Sequence, residues 1–208
     1  LYEVVKTLNQ QPELDFIYSD EDKVPAKSNK RHEPFFKPDW SPDTFLSYNY
    51  LCHFAVFRRK IVEEVGRLRE GYDGSQDYDL ILRVLQRTSK INRLPKILYH
   101  WRTVATSVAL SMTVKTYAFP AAKKAIKEFL DARGRKAEVL DGFSLGAYRI
   151  KYHIKDHPRV CIIIPTRDKA SLLKQCISSI LSKTDYKNYE IMVVDNQSSE
   201  KETVDYYN

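Results

Sequence analysis

The fold class is decided by Val160-Cys161-Ile162-Ile163-Ile164, a short apolar run, and by its counterpart Glu190-Ile191-Met192-Val193-Val194. Residues 169–181 between them have a helical pattern, with apolar residues spaced along one side. Short apolar strands of this kind are typical of a parallel sheet that is covered on both faces. The order strand, helix, strand therefore predicts an α/β fold in which both strands are buried on both faces.

Polar residues follow each of these strands: Thr166-Arg167-Asp168 after the first and Asp195-Asn196-Gln197-Ser198 after the second. In open α/β sheets, ligands bind beyond the carboxyl ends of the strands. We therefore expect the two polar segments to line a pocket.

Composition limits the classes of protein to which the chain can belong. The 208 residues are 43% hydrophobic and 29% charged, with 6 Gly and 9 Pro, which excludes collagen-like, low-complexity and wholly disordered chains. No apolar run approaches the ~20 residues of a membrane-spanning helix. The net charge of +7 could attract phosphate-bearing ligands, nucleic acid or anionic lipid, but the basic residues are scattered and no nucleic-acid recognition motif is present.

The first residues and the cysteines indicate the extent of the sequence and the redox environment of the protein. The first residues, Leu1-Tyr2-Glu3-Val4-Val5, contain no initiator Met and no signal sequence, so we expect an excerpt from a longer protein. The three cysteines, Cys52, Cys161 and Cys176, have no CxxC spacing, which favours neither a disulfide framework nor a zinc site. Reduced, buried thiols in a cytoplasmic protein are the expectation.

The rest of the chain shows the periodicities of both helices and strands. Residues 23–43 contain four prolines and are expected to form a long loop. The other patterns predict helices over 1–9, 59–65 and 120–134, and strands over 14–18, 50–57, 91–100 (interrupted at Pro95) and 147–154.

An acidic pair, Asp20 and Asp22, follows the predicted strand that ends at Tyr18. Two carboxylates at i and i+2 can present hard oxygen ligands to Mg²⁺ or Mn²⁺, which would in turn hold a diphosphate. On its own, such a pair is more often a solvated turn at the end of a strand. The spacing alone leaves both interpretations open.

A second acidic pair lies at a predicted helix start. Ser75 is expected to be the N-cap, and Asp77 and Asp79 follow in the first turn, where the helix dipole favours anions. A carboxylate there could accept a proton from an attacking hydroxyl. Helix capping alone explains these residues at least as well.

A third group of candidates is the segment Leu98-Tyr99-His100-Trp101-Arg102 at a predicted strand end. His can bind a metal, Trp can stack on a sugar ring and Arg can pair with phosphate. A satisfied core His and a packing Trp are the commoner roles of such residues in isolation.

Taken together, these segments resemble the family 2 glycosyltransferases in order and wording. The matching segments are Asp15–Asp22, Phe36–Asp43, Gly71–Leu80 and Leu98–Arg102. A separate resemblance, over Val160–Asp168 and Val193–Ser198, is to the opening β-α-β of the same family. The resemblance implies a partial GT-A fold, a Rossmann-like mixed sheet with flanking helices, followed by the opening β-α-β of a second GT-A unit.

The order of the segments is the reverse of that in one such domain, where the nucleotide-binding β-α-β comes first. The resemblance therefore implies the acceptor and metal half of a first domain over 1–110, a helical and extended connector over 111–157, and the N-terminal β-α-β of a second domain over 158–208. Tandem bacterial enzymes that build surface polysaccharide have this organisation. We expect the piece to be inactive alone, unless the β-α-β folds back or swaps between copies to complete the first half.

The resemblance also implies a role for each matching residue. Asp77 would be the general base, Asp22 and His100 would hold Mn²⁺ or Mg²⁺, and Asp20, Gln76, Trp101 and Arg102 would bind substrate. In the second unit, Pro165, Thr166 and Asp195 would line a nucleobase pocket. The chain departs from the family pattern at Gln76, where many relatives have Glu, and at Asn196, where Asp is usual.

The implied activity is inverting transfer of a hexosyl or deoxyhexosyl group from a nucleotide-diphosphate sugar to a glycan or lipid-linked glycan acceptor. The implied location is the cytoplasm, including a peripheral position at the inner face of the membrane, without a nucleic-acid partner. The alternative is a non-catalytic carbohydrate-binding or scaffold segment, in which Trp40, Trp101 and the tyrosines stack on sugars. Dependence of ligand binding on a divalent cation would favour the enzyme.

Overall fold

A computed structural model describes residues 1–103 and 117–207, which divide into two units, Leu1–His153 and Ile154–Asn208. The stretch 104–116, which includes the expected boundary at 110, lies outside the described residues. The first unit contains α1 (Tyr2–Gln10), β1 (Phe16–Pro25), β2 (His32–Phe35), α2 (Pro42–Ser47), β3 (Ala55–Phe57), α3 (Arg59–Glu64), α4 (Gln76–Leu85), β4 (Ile91–Thr103), α5 (Ala118–Ala132), β5 (Ala137–Asp141) and β6 (Tyr148–Tyr152). The second contains β7 (Val160–Thr166), α6 (Ala170–Lys183), β8 (Tyr189–Asp195) and α7 (Lys201–Tyr207).

Strand β1 organises the first unit because it pairs with all three other strands of its sheet. It is antiparallel to β2 and β3 and parallel to β4, with pairing that runs from Phe16 opposite Ile91 to Pro25 opposite Thr103. The acidic residues therefore lie inside a strand, and the predicted turn after Tyr18 is wrong. The sequence gives little sign that the strand continues through the acidic residues, because the strand that pairs with them, β4, lies far along the chain.

Strand β4 is continuous through Pro95, although the sequence predicts an interruption there. The register against β1 shifts on both sides of Asp20, near the point where Pro95 has no N–H to donate to the ladder. Asp20 pairs with Ile97, and a regular register resumes at Glu21, opposite Tyr99. The proline thus produces an irregularity and not the end of the strand.

Helices α4 and α5 cover the sheet and form the main core with it. Phe16 and Tyr18 of β1 are fully buried in one cluster with apolar residues from both helices: Tyr78, Ile81, Leu82, Leu85, Ala122, Ala125, Ile126, Phe129 and Leu130. The predicted α/β class is confirmed as a mixed sheet with flanking helices. Residues of the expected connector contribute α5, β5 and β6 to this unit, and the functional division into 1–110, 111–157 and 158–208 stays a prediction.

Three local predictions differ from the structure. The expected loop over 23–43 contains the end of β1 and the short strand β2, and of the predicted strand 50–57 only Ala55–Phe57 is extended. Ser75 occupies the N-cap position of α4 as predicted, but its side chain makes no capping hydrogen bond, because its Oγ donates to the Ala118 carbonyl oxygen at 2.8 Å. Contact with α5 replaces the capping hydrogen bond.

The second unit is built on β7 and β8, which pair in parallel from Val160 opposite Tyr189 to Thr166 opposite Asp195. Ala170 and Leu173 of α6 are buried, whereas Ile163, Met192 and Val194 of the strands are exposed. The prediction of strands buried on both faces is therefore wrong for this chain, because two strands and two helices are too few to cover both faces. Cys161 and Cys176 are exposed and Cys52 is half-buried, so the expectation of buried thiols is also wrong.

Replacing Gly74 by Ala should destabilise the first unit more than the same change at Gly66. Both glycines have a left-handed backbone, with φ +78 at Gly74 and φ +82 at Gly66. A Cβ added at Gly74 would lie 2.8 Å from the Ala118 Cβ, whereas a Cβ added at Gly66 would have no atom within 4 Å. Gly66→Ala should cost about 1 kcal/mol of backbone strain, and Gly74→Ala about 1–3 kcal/mol more. Urea unfolding of the two variants measures the difference, and equal free energies of unfolding would contradict the close approach.

Candidate functional site

The predicted metal ligands Asp22 and His100 are direct neighbours on parallel strands. They are partners in the β1–β4 register, and the His100 Nδ1 lies 2.5 Å from the Asp22 Oδ1. The Asp22 side chain is 5% exposed and that of His100 is 43% exposed. The pair therefore has a buried end at β1 and an open end at the surface.

Asp20 is buried, and its carboxylate is occupied by protein partners. The Arg93 Nη2 donates to both Asp20 oxygens at 3.0 Å, and the Lys37 backbone N–H donates to Oδ1 at 3.0 Å. These bonds fix the segment that carries Lys37 against β1. The expected contact of Asp20 with a nucleotide sugar stays a prediction.

A buried ion pair joins Glu21 of the same strand, β1, to Lys37, which follows β2, and is not predicted by the sequence. The Lys37 Nζ is 3.2 Å from the Glu21 Oε2, and it also donates to the carbonyl oxygens of Cys52, at 3.1 Å, and His53. The His53 backbone N–H donates to the same Glu21 oxygen at 2.6 Å. Glu21 and Lys37 thus hold residues 52 and 53 against the acidic strand.

The environment keeps Glu21 ionised. Burial acts to raise the pKa of its carboxyl, but the contacts from His53 and the charge of Lys37 outweigh it and hold the pKa below its usual value. Burial lowers the pKa of the Lys37 amine, against the opposing effect of Glu21. A pairing of residues 16 positions apart, one of them in a proline-containing segment, leaves no periodic signal in the sequence.

An aromatic stack lies beside the ion pair. The His53 ring is parallel to Tyr99, with centroids 5.1 Å apart, and lies 5.1 Å from Trp101. The Lys23 Nζ lies 5.9 Å from the Trp101 ring. Trp101 is half-buried and Arg102 is exposed, so these predicted substrate-binding residues border the surface next to His100.

Asp77 lies in the first turn of α4, with an exposed side chain, and Gln76 beside it is exposed as well. Residues 49–52 connect it to the acidic strand: the Asn49 Nδ2 donates to the Asp77 Oδ2 at 3.4 Å, and the Cys52 Sγ donates to the Asn49 carbonyl oxygen at 3.4 Å. Burial, together with the charges of Asp77 and Glu21, raises the pKa of the Cys52 thiol to about 12. Within the described part of the chain, no hydrogen bond joins Asp77 directly to Asp22 or His100.

The structure distinguishes the two acidic residues of this helix. Asp79 is buried and receives bonds from Arg69, at 2.6 Å, and Arg83, at 2.8 Å. Its carboxylate is therefore saturated and has a structural role. Asp77 is the acidic residue of α4 that is available to solvent.

In the second unit, the predicted pocket residues Thr166 and Asp195 are register partners at the carboxyl ends of β7 and β8, and Pro165 precedes them opposite Val194. Hydrogen bonds from Ser198, whose backbone N–H lies 3.2 Å away, and from the Tyr207 hydroxyl at 3.0 Å hold the pKa of Asp195 below its usual value. Asp168 accepts the backbone N–H groups of Ser199 and Glu200 at 2.8 Å each. These bonds order the loop that follows β8.

Two features are absent from residues 1–103 and 117–207. In those ranges, no three His, Cys, Asp or Glu side chains lie close enough together to form a metal site from protein groups alone. Across the same ranges, no helix combines the length and the apolar character needed to cross a bilayer.

Comparison with known proteins supports the resemblance inferred from the motifs. Residues 161–208 match the family "Glycosyl transferase family 2". The uncharacterized protein y4gI of Sinorhizobium fredii (strain NBRC 101917 / NGR234) is 39% identical over 207 residues, and the O-antigen biosynthesis protein RfbC of Myxococcus xanthus is 40% identical over 203 residues. These matches cover 98% of this chain but only 23% and 16% of the two relatives, and they confirm the predicted resemblance to family 2 glycosyltransferases.

Breaking the buried ion pair should strongly destabilise the first unit. Lys37→Met leaves Glu21 as an uncompensated buried charge and should cost about 3–5 kcal/mol at pH 7, whereas Glu21→Gln combined with Lys37→Met should recover much of that loss. The folded-state pKa of Glu21 is lowered, so its contribution is present above its unfolded-state pKa and is lost as the pH falls through the folded-state value.

Urea unfolding, followed by tryptophan fluorescence between about pH 3 and 7, measures both effects. The unmodified chain should lose more stability on acidification than the double variant does. A Lys37→Met variant as stable as the unmodified chain at pH 7 would contradict the pairing.

Proposed function

We propose that this chain, whose residues 161–208 belong to glycosyltransferase family 2, is part of an inverting transferase that uses a nucleotide-diphosphate sugar. The acceptor would be a hydroxyl of a glycan or of a lipid-linked glycan. The observation that carries the proposal is the Asp22–His100 pair, which is linked through Glu21 and residues 49–53 to the exposed carboxylate of Asp77. The proposed cation-binding pair and the proposed base thus lie in one connected part of the first unit.

Asp77 is proposed as the general base. Its side chain is exposed and is held by Asn49, whereas Asp79 is occupied by two arginines. Asp77 would accept the proton of the acceptor hydroxyl while the hydroxyl oxygen forms a bond to the anomeric carbon. The bond from that carbon to the diphosphate oxygen breaks on the opposite side, and its electron pair leaves with the nucleoside diphosphate.

Asp22 and His100 are proposed to hold Mg²⁺ or Mn²⁺. A carboxylate oxygen and an imidazole nitrogen suit these cations, which commonly take one or two protein carboxylates and complete their shell with water and substrate phosphates. The lack of a third protein ligand among the described residues fits that mode. Stabilisation of the departing diphosphate is the chemistry that a bound divalent cation supplies.

The remaining predicted residues are proposed to contact substrate around this centre. Trp101 and the neighbouring His53 ring offer an aromatic surface for a sugar ring. Gln76, beside Asp77 in the sequence, and Arg102, beside Trp101, are exposed. Asp20 would have to exchange Arg93, which now occupies both its oxygens, for the donor sugar.

The second unit is proposed to begin another glycosyltransferase domain, with Pro165, Thr166 and Asp195 at a nucleobase pocket. Support comes from the family match over 161–208 and from the position of these residues at the carboxyl ends of parallel strands. The name of the Myxococcus relative supports a role of the whole protein in surface polysaccharide synthesis. Nucleotide-sugar donors and lipid-linked acceptors would bring that reaction to the cytoplasmic face of the membrane.

Replacing Asp77 by Asn in the full-length protein should lower the rate of sugar transfer by about 10²–10⁴-fold, because the amide cannot accept the hydroxyl proton. Transfer from a labelled nucleotide sugar to membranes of a strain lacking the gene measures the rate. Asp73→Asn, which changes an exposed carboxylate four residues earlier, is the matched control. A rate for Asp77→Asn within a few-fold of the unmodified protein would show that another group is the base.

Removing divalent cations should abolish this transfer, and His100→Ala should increase the concentration of Mn²⁺ needed for half-maximal rate by about 10-fold or more, because one protein ligand is lost. The measurement is a rate titration with Mn²⁺ after chelation. His153→Ala, which alters an exposed histidine paired with Glu138, should leave that concentration unchanged. Sugar binding that persists without turnover and without any effect of chelation would favour the non-catalytic carbohydrate-binding alternative.

A further inference from the structure

The hairpin of β5 and β6 ends in a tip that presents two apolar side chains to solvent. Phe143 is 100% exposed and Leu145 is 56% exposed. A single exposed apolar residue on a surface needs no explanation. Two at one loop tip, next to the partly exposed Leu140, form a local apolar projection.

The tip has an ordered backbone. The Gly142 N–H donates to the Ala147 carbonyl oxygen at 2.9 Å, and the Ala147 N–H donates to the Ser144 carbonyl oxygen at 3.1 Å. A bridge between Tyr48 and Ala147 ties the base of the tip to the rest of the first unit. The apolar side chains are therefore held outward by a closed loop, and their exposure does not come from a frayed chain end.

The hairpin that carries this projection has more basic than acidic residues. Residues 135–153 contain four Lys or Arg residues and two acidic residues. On the outer face of the hairpin, Arg149 lies opposite Leu140, and Lys151 opposite Glu138. Lys123 contacts the exposed Asp141 carboxylate beside the tip at 2.6 Å, which offsets the negative charge nearest to Phe143.

We propose that the β5–β6 hairpin is a docking element for an anionic lipid bilayer, with Phe143 and Leu145 entering the interface. Apolar side chains that enter the headgroup region and basic side chains that attract anionic lipid are the two contributions on which interfacial binding depends. Charge complementarity favours an anionic bilayer over an apolar protein surface as the occupant. The inference rests on the proposed function only in that a lipid-linked acceptor gives such docking a purpose.

Vesicle co-sedimentation of the 208-residue chain tests the proposal without any need for transfer activity. The chain should bind vesicles of phosphatidylethanolamine and phosphatidylglycerol at low salt, and binding should fall by about 10-fold or more on pure phosphatidylcholine or in ~0.5 M salt, where the charges are screened. Phe143→Ser and Leu145→Ser should each weaken binding several-fold. Leu68→Ser, at an apolar residue of the first unit that is 59% exposed, should have no effect.

Circular dichroism of each variant checks that the fold is retained, as the exposure of the replaced residues leads us to expect. Binding that is absent, or equal on neutral and anionic vesicles, would overturn the proposal. A dimer in sedimentation velocity that Phe143→Ser abolishes would also overturn it, and would assign the tip to a second copy of the chain. Loss of transfer in Asp77→Asn with vesicle binding intact would keep the two proposals separate.

Discussion

The parallel pairing of β1 with β4 is the constraint on which the first unit depends. It places a strand with three consecutive acidic residues in the middle of a sheet, where each carboxylate must find a partner because an unpaired buried charge is costly. Each acid meets a different cation or imidazole: Arg93 for Asp20, Lys37 for Glu21 and His100 for Asp22. The same pairing that organises the core therefore sets the geometry of the candidate site.

The three acidic residues have partners of different kinds and therefore have different roles. Asp20 and Glu21 bind residues that are themselves largely buried, so their charges hold the segments around residues 37 and 53 in place. Asp22 meets His100, whose side chain is 43% exposed, and the exposed Arg31 lies 3.9 Å from its other oxygen. Of the three neighbours, it is therefore the one best placed to act together with His100 on a ligand.

The sequence predicts the features that leave a local pattern of residues, and it does not predict those that depend on pairing between residues far apart along the chain. The β-α-β of the second unit follows from apolar runs and helical spacing, and its strands and helix lie where those patterns predict them. The family resemblance predicts Asp77 as the base, and this role stays a prediction; the pairing of Asp79 with Arg69 and Arg83 has no signal in the sequence. The sequence gives no sign of the Glu21–Lys37 pair, because Lys37 lies in a segment that is predicted to be an irregular loop. The strand character of the acidic residues depends on β4, which lies far along the chain.

The open face of β7 and β8 has a consequence for how the chain unfolds. A two-stranded parallel sheet with one face in water is a marginal structure, because backbone pairing is backed by apolar contact on one side only. The first unit, by contrast, encloses a core built from a sheet, the helices α2, α4 and α5, and a hairpin. Loss of order in residues 154–207 thus need not coincide with cooperative melting of the larger unit, and a single midpoint temperature would not describe the whole chain.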